Sequence, residues 1–158
     1  MFKKTHLLSV LMLALLVGAC SQPAEKPAID KLKDPYQPEW TKSANIYEVN
    51  IRQYSEEGTF NAFREEMPRL ADMGVDILWL MPINPIGMKN RKGELGSYYS
   101  VSDYKGINPN YGTLDDFKAL VAEAHELGMK VIIDWVPNHT AWDHPWITEH
   151  PEFYAKDD

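Results

Sequence analysis

The sequence predicts an α/β fold built on a parallel sheet, and two observations carry that expectation. A helix-period stretch, a glycine and a short apolar, β-branched run follow one another twice, once around Gly74 and once around Gly128. An earlier strand-like run precedes both, so the order reads β-α-β-α-β, the alternation of a parallel sheet with right-handed crossovers. The pattern alone does not choose between a doubly wound sheet and a barrel.

The first residues read as an address, not as fold. Lys3 and Lys4 precede an apolar run from Leu7 to Val17, which is followed by the small residues Gly18 and Ala19. This is the composition of an export signal over residues 1–19, and the run is too short to span a bilayer as a stable helix. Cys20 comes next and is the single cysteine of the 158-residue chain, which excludes an internal disulfide framework. Residues 20–43 place Pro23, Pro27, Pro35 and Pro38 among charged and small residues, a composition that extends without packing. They are expected to be a flexible tether, with residues 44–158 forming the packed domain.

Ile46 to Ile51 is strand-like by its β-branched and aromatic content, with Glu48 and Asn50 on one face and Tyr47, Val49 and Ile51 on the other. Thr59 is a natural helix cap, and Phe60, Phe63, Met67, Leu70 and Met73 then recur at helical spacing up to Gly74. Pro68 removes a backbone donor within that stretch and predicts a kink or a break. Val75 to Met81 is the second strand, ended by Pro82.

Residues 85–112 form a connection too long to be idle in a packed domain. Its tyrosines, Tyr98, Tyr99, Tyr104 and Tyr111, argue for an ordered loop. Thr113 and Asp116 make a capping-box pair, and Phe117, Leu120, Val121, Ala124 and Leu127 continue the helix to Gly128. The acidic face of Asp115, Asp116, Glu123 and Glu126 reads as a solvated helix surface.

The third strand, Lys130 to Val136, reads as buried on both faces, and it ends in chemistry. Asp134 shares a face with Ile132 and Val136, so its carboxylate enters the space those residues line and needs a partner there. Pro137 stops the ladder and delivers Asn138 and His139 at the C-terminal strand end, where α/β folds keep their ligand sites. His139, His144 and His150 match no standard zinc spacing. With 23 acidic against 16 basic residues the chain has a net charge of −7, which argues against a nucleic-acid partner.

The motif Asp134-x-Val136-x-Asn138-His139 resembles the first short signature of the α-amylase superfamily of glycoside hydrolases, on barrel strand three. Tyr99-x-x-x-Asp103-Tyr104, Asn108-Pro-Asn-Tyr-Gly-Thr113, Ala124-His-Glu-Leu-Gly128 and Thr140 follow that family's order and spacing. The resemblance runs from about Ile46 to Tyr154 and implies the amino-terminal part of a (β/α)8 barrel: three parallel strands and two crossover helices, where a whole barrel needs about 250 residues. Val17-Gly-Ala-Cys20 likewise resembles a bacterial lipobox, which implies an acylated Cys20 and an exported protein anchored to the cell envelope.

The family resemblance also implies roles. His139 matches a histidine that hydrogen-bonds the sugar at the cleavage point, and Tyr99 a tyrosine that stacks on the same ring. Tyr98 stands where the family usually has glycine, which leaves open which tyrosine faces the site. Asp134 and Asp103 match site-positioning residues, with Asp134 expected to pair with an arginine of the fourth strand. Asn138 matches a position that supplies an oxygen to a structural calcium in many members. The two catalytic carboxyl groups of such enzymes follow strands four and five, so none is expected in this sequence, and the chain by itself is expected to be inactive. The implied activity is retaining cleavage of α-glucosidic bonds in starch or maltodextrins. The alternatives are a transglycosylase of the same superfamily and a non-catalytic glycan-binding lipoprotein.

Overall fold

The computed structural model describes residues 38–156. The expected export signal, Cys20 and most of the expected tether lie outside the described residues. Residues from Trp40 onward form one unit, and every element below belongs to it.

Three short strands, β1 (Ile46–Val49), β2 (Ile77–Leu80) and β3 (Lys130–Ile133), form one sheet in the order β1-β2-β3. Both pairings are parallel, with Val49 opposite Leu80 and Leu80 opposite Ile133. A barrel has this sequential order, and so does one half of a doubly wound sheet.

Each strand is shorter than its apolar run. Val49 is the last paired residue of β1; Asn50 is extended, and the chain then turns into helix α1 (Ile51–Tyr54), so Ile51 is buried from a helix and not from the strand as expected. β3 stops at Ile133. The Asp134 amide still donates to Leu80 O (2.8 Å), after which the chain leaves the sheet toward Pro137.

Pro68 breaks the first crossover as its chemistry requires. Helix α2 (Phe60–Arg64) ends and helix α3 (Met67–Asp72) begins with Pro68 in its first turn, where an absent N–H leaves no bond unmade. Thr59 caps α2 by accepting from the Ala62 amide at 3.2 Å. The second crossover is helix α4 (Leu114–Glu126), opened by the reciprocal bonds of the Thr113–Asp116 capping box. Gly74 and Gly128 follow α3 and α4 at φ +88° and +84°, a conformation glycine adopts without steric cost.

Phe60, Phe63, Met67 and Leu70 from the first crossover and Leu120 and Ala124 from the second bury one face of the sheet. Val49, Leu78 and Leu80 meet them there, all fully buried. Among the described residues β3 is not covered on both faces. Ile132 and Ile133 remain 44% and 42% exposed, because β3 is an edge of this sheet and no described element covers the face that carries Glu48 and Ile132. The acidic face of α4 is also more than solvated surface, since Asp116 caps its helix and Glu123 pairs with Arg64 at 2.7 Å.

Candidate functional site

The C-terminal ends of the strands bring the loop of residues 85–112 against the segment after β3. Tyr99 donates its phenolic proton to Asp134 Oδ2 at 2.9 Å. Burial first, and this bond to a carboxylate second, push the Tyr99 phenol up to about 12. The Glu48 carboxylate on β1 adds a smaller contribution in the same direction. Within the described residues, the partner Asp134 requires is therefore a tyrosine; the arginine expected from the fourth strand belongs to no described residue.

His139 closes the arrangement. Its Nε2 lies 3.1 Å from Tyr99 O, and since a carbonyl only accepts, Nε2 carries the proton. In the Nε2–H tautomer Nδ1 is an acceptor, which matches Asn138 Nδ2 at 3.4 Å. Tyr104 holds the backbone on which His139 sits. Its hydroxyl is 2.6 Å from Val136 O and 2.9 Å from His139 O, so one proton bridges two carbonyls. Burial raises the Tyr104 phenol as well.

Tyr98 and Tyr99 divide the work that the sequence left open between them. The Tyr98 hydroxyl accepts from Asn50 Nδ2 at 3.1 Å, and the Arg52 guanidinium lies over its ring at 4.4 Å from the centroid. Tyr98 is thus bound to the end of β1 while Tyr99 meets Asp134 and His139. Asn50 and Arg52 were not singled out from the sequence. The placement of Asn50 on the same strand face as Glu48 was the available signal; nothing marked Arg52.

Asp103 shapes its own turn, accepting from the Lys105 amide at 2.8 Å. A Cβ at neighbouring Gly106 would lie 2.6 Å from Asp103 Oδ2, so a larger residue there would push the Asp103 carboxylate aside. His144 is buried, accepts from the Trp146 amide through Nδ1 (3.1 Å) and packs against Tyr104 and Trp146. Desolvation lowers its pKa. His150 pairs with Glu152 at 3.1 Å, so the three histidines of this segment face three different partners. Helix α5 (Trp146–Glu149) and the turn at Pro151–Phe153 complete an aromatic wall. Beside it lies a cleft of about 300 Å³ lined by Tyr104, His139, Thr140, Trp146 and Tyr154.

Calcium takes six to eight oxygens. Asn138 supplies at most one, and among the described residues no group of three or more His, Cys, Asp or Glu side chains is placed to hold a metal ion.

This geometry stands beside clear relationships. The family profile described as alpha amylase, catalytic domain, matches residues 32–157. Trehalose synthase of Thermus thermophilus is 42% identical over 117 residues, covering 71% of this chain and 11% of that protein. The alpha-amylase SusG of Bacteroides thetaiotaomicron is 34% identical, covering 94% of this chain and 24% of its own length. Among solved structures, an alpha-amylase from Lactobacillus plantarum superposes with a TM-score of 0.70 at 58% identity, over 72% of this chain and 27% of that one. The chain thus spans between a tenth and a quarter of the curated relatives it matches. The superposition decides what strand order left open, since these three parallel strands and their helices are part of a (β/α)8 barrel. The chain belongs to the α-amylase family and matches its catalytic domain.

Proposed function

We propose that the full gene product cleaves α-glucosidic bonds in starch or maltodextrins with retention of configuration, and that Tyr99, His139 and Asp134 form the floor of its sugar site. The observation that carries this reading is the convergence of the three residues. Tyr99 presents a ring whose hydroxyl is fixed by Asp134, and His139 holds its Nε2 proton toward Tyr99 O. A pyranose stacks its C–H face on such a ring. A sugar hydroxyl entering between His139 and Tyr99 accepts from Nε2–H and donates to the carbonyl, so both protein groups stay satisfied. Asp134 fixes the tyrosine and takes no proton from substrate in this scheme.

The carboxyl pair that retaining cleavage needs is assigned to no residue described here, and the 158-residue chain alone is proposed to be inactive. Asn138 would contribute one oxygen to any calcium bound by the whole protein. Cys20 is proposed to carry the lipid that anchors an exported protein to the cell envelope.

Relatives named as a trehalose synthase and a maltosyltransferase favour a second reading, transfer to a sugar hydroxyl instead of water. One experiment addresses both. Full gene product is incubated with maltoheptaose while the anomeric protons are followed by NMR. Initial release of α-configured reducing ends supports retaining hydrolysis. Longer or rearranged saccharides without new reducing ends support transfer, and no change with any α-glucan rejects both.

A further inference from the structure

We propose that Asp143 is a positioning residue for the sugar site, acting through a latch that joins the residue 85–112 loop to the segment after β3. Its carboxylate reaches across the two loops: the backbone N–H groups of Met88 and Lys89 both donate to Asp143 Oδ2, at 2.7 and 3.0 Å. Those amides, with help from nearby Arg91, hold the carboxyl below its usual range. Gly87 fits under the latch only because it lacks a side chain. A Cβ there would lie 2.3 Å from Ala141 Cβ and 2.4 Å from Asp143 Oδ1, closer than atoms pack.

The latch is stiff on the loop side as well. Arg91 donates to Gly87 O (3.0 Å), Ile86 O (3.1 Å) and Glu94 O (2.9 Å), so the tip that offers the two amides is braced from within.

What makes this junction relevant to the site is register. Ile86 bridges Val101, and the Ala141 amide donates to Val101 O at 2.7 Å, so Val101 lies between the two latched segments. Two residues before Val101 is Tyr99, and two residues before Ala141 is His139; they meet at 3.1 Å. The Val101–Ala141 backbone bond and the contact of the His139 side chain with Tyr99 O therefore tie the same two segments, two residues apart in each, and Asp143 with Gly87 clamps those segments just beyond. Slipping the clamp shifts His139 along the Tyr99 backbone and removes the partner of Nε2–H. Asp143 touches no sugar in this scheme.

The test follows the His139 ring nitrogens by long-range proton–nitrogen NMR in the full gene product. Wild type is expected to show the single tautomer with the proton on Nε2. Asp143→Ala and Gly87→Ala should each give averaged nitrogen shifts of a ring no longer held. Asp143 is exposed, so its truncation opens no cavity. Asp143→Asn keeps an acceptor oxygen and should restore the wild-type shifts. Arg64→Ala, which breaks the Arg64–Glu123 pair, serves as a control for general destabilisation and should leave them alone. The kinetic arm rests on the function proposed above: Asp143→Ala should lower kcat on maltodextrins on the order of 10-fold or more, with a smaller change in KM. Unchanged His139 nitrogens in both Asp143→Ala and Gly87→Ala overturn the latch. Changed nitrogens with no α-glucan activity even in wild type would leave the latch standing and overturn the function.

Discussion

The Tyr99 hydroxyl and the Asp134 carboxylate meet at 2.9 Å although 35 positions separate them in the chain. The bond joins the loop after β2 to the end of β3, and it gives a part-buried phenol and a part-buried carboxylate their partners at once. Removing one partner should cost more than the bond itself contributes, because the other group stays desolvated.

Tyr99→Phe is accordingly expected to destabilise the unit by about 1–3 kcal/mol, read from urea unfolding. An alkaline titration adds a second check. The phenol has its ordinary value near 10 when unfolded and is raised when folded, so this stability is fully present below about pH 10 and lost as pH rises through about 12. Asp134→Asn should let the folded phenol ionise at lower pH, seen as tyrosinate absorbance.

His139→Ala in the full gene product should lower kcat on maltodextrins on the order of 10-fold to 100-fold and change KM less. A hydrogen bond to the distorted sugar is worth more than one to the ground state. An unaltered kcat would make His139 only a tie to the Tyr99 carbonyl.

Thr113→Ala should cost about 1 kcal/mol by uncapping α4. Its partner Asp116 is held at about 2, first by the Thr113 side chain and then by the Thr113 amide. A lowered carboxyl supports the fold above its unfolded value near 4 and ceases to do so as pH falls through about 2. Thermal melts between pH 5 and pH 2 should show a shallower acid loss in Asp116→Asn than in wild type.

Cys20→Ser should abolish incorporation of a fatty-acid probe and release the protein from the membrane fraction. Labelling that survives the substitution would refute the anchor proposal.

Much of the fold was legible because local chemistry and tertiary packing agree. Thr59, Pro68, Gly74, Thr113 and Gly128 each mark an element boundary through backbone geometry, and all five do so in the structure. Strand ends were less legible. Ile51 and Val136 extend apolar runs and are buried, yet from a helix and a loop, and hydrophobicity does not distinguish these from a strand. At the site, the short motif around Asp134 and His139 named residues that do converge with Tyr99. Their partners were hidden, since a hydrogen bond between a side chain and a backbone carbonyl leaves no mark on composition or spacing. The Gly87–Asp143 approach was invisible too, because the close passage of two loops leaves no mark on either one's composition.

The edge of the sheet at β3 has a measurable signature. In a parallel pair, alternate residues donate toward the same neighbour. Lys130 and Asp134 donate to Asp76 O and Leu80 O on the β2 side, so the Val131 and Ile133 amides point the other way. Hydrogen exchange along β3 should then alternate residue by residue, slow at Ile132 and Asp134 and fast at Val131 and Ile133. Any strand that docks there would show itself by slowing only the odd-numbered amides.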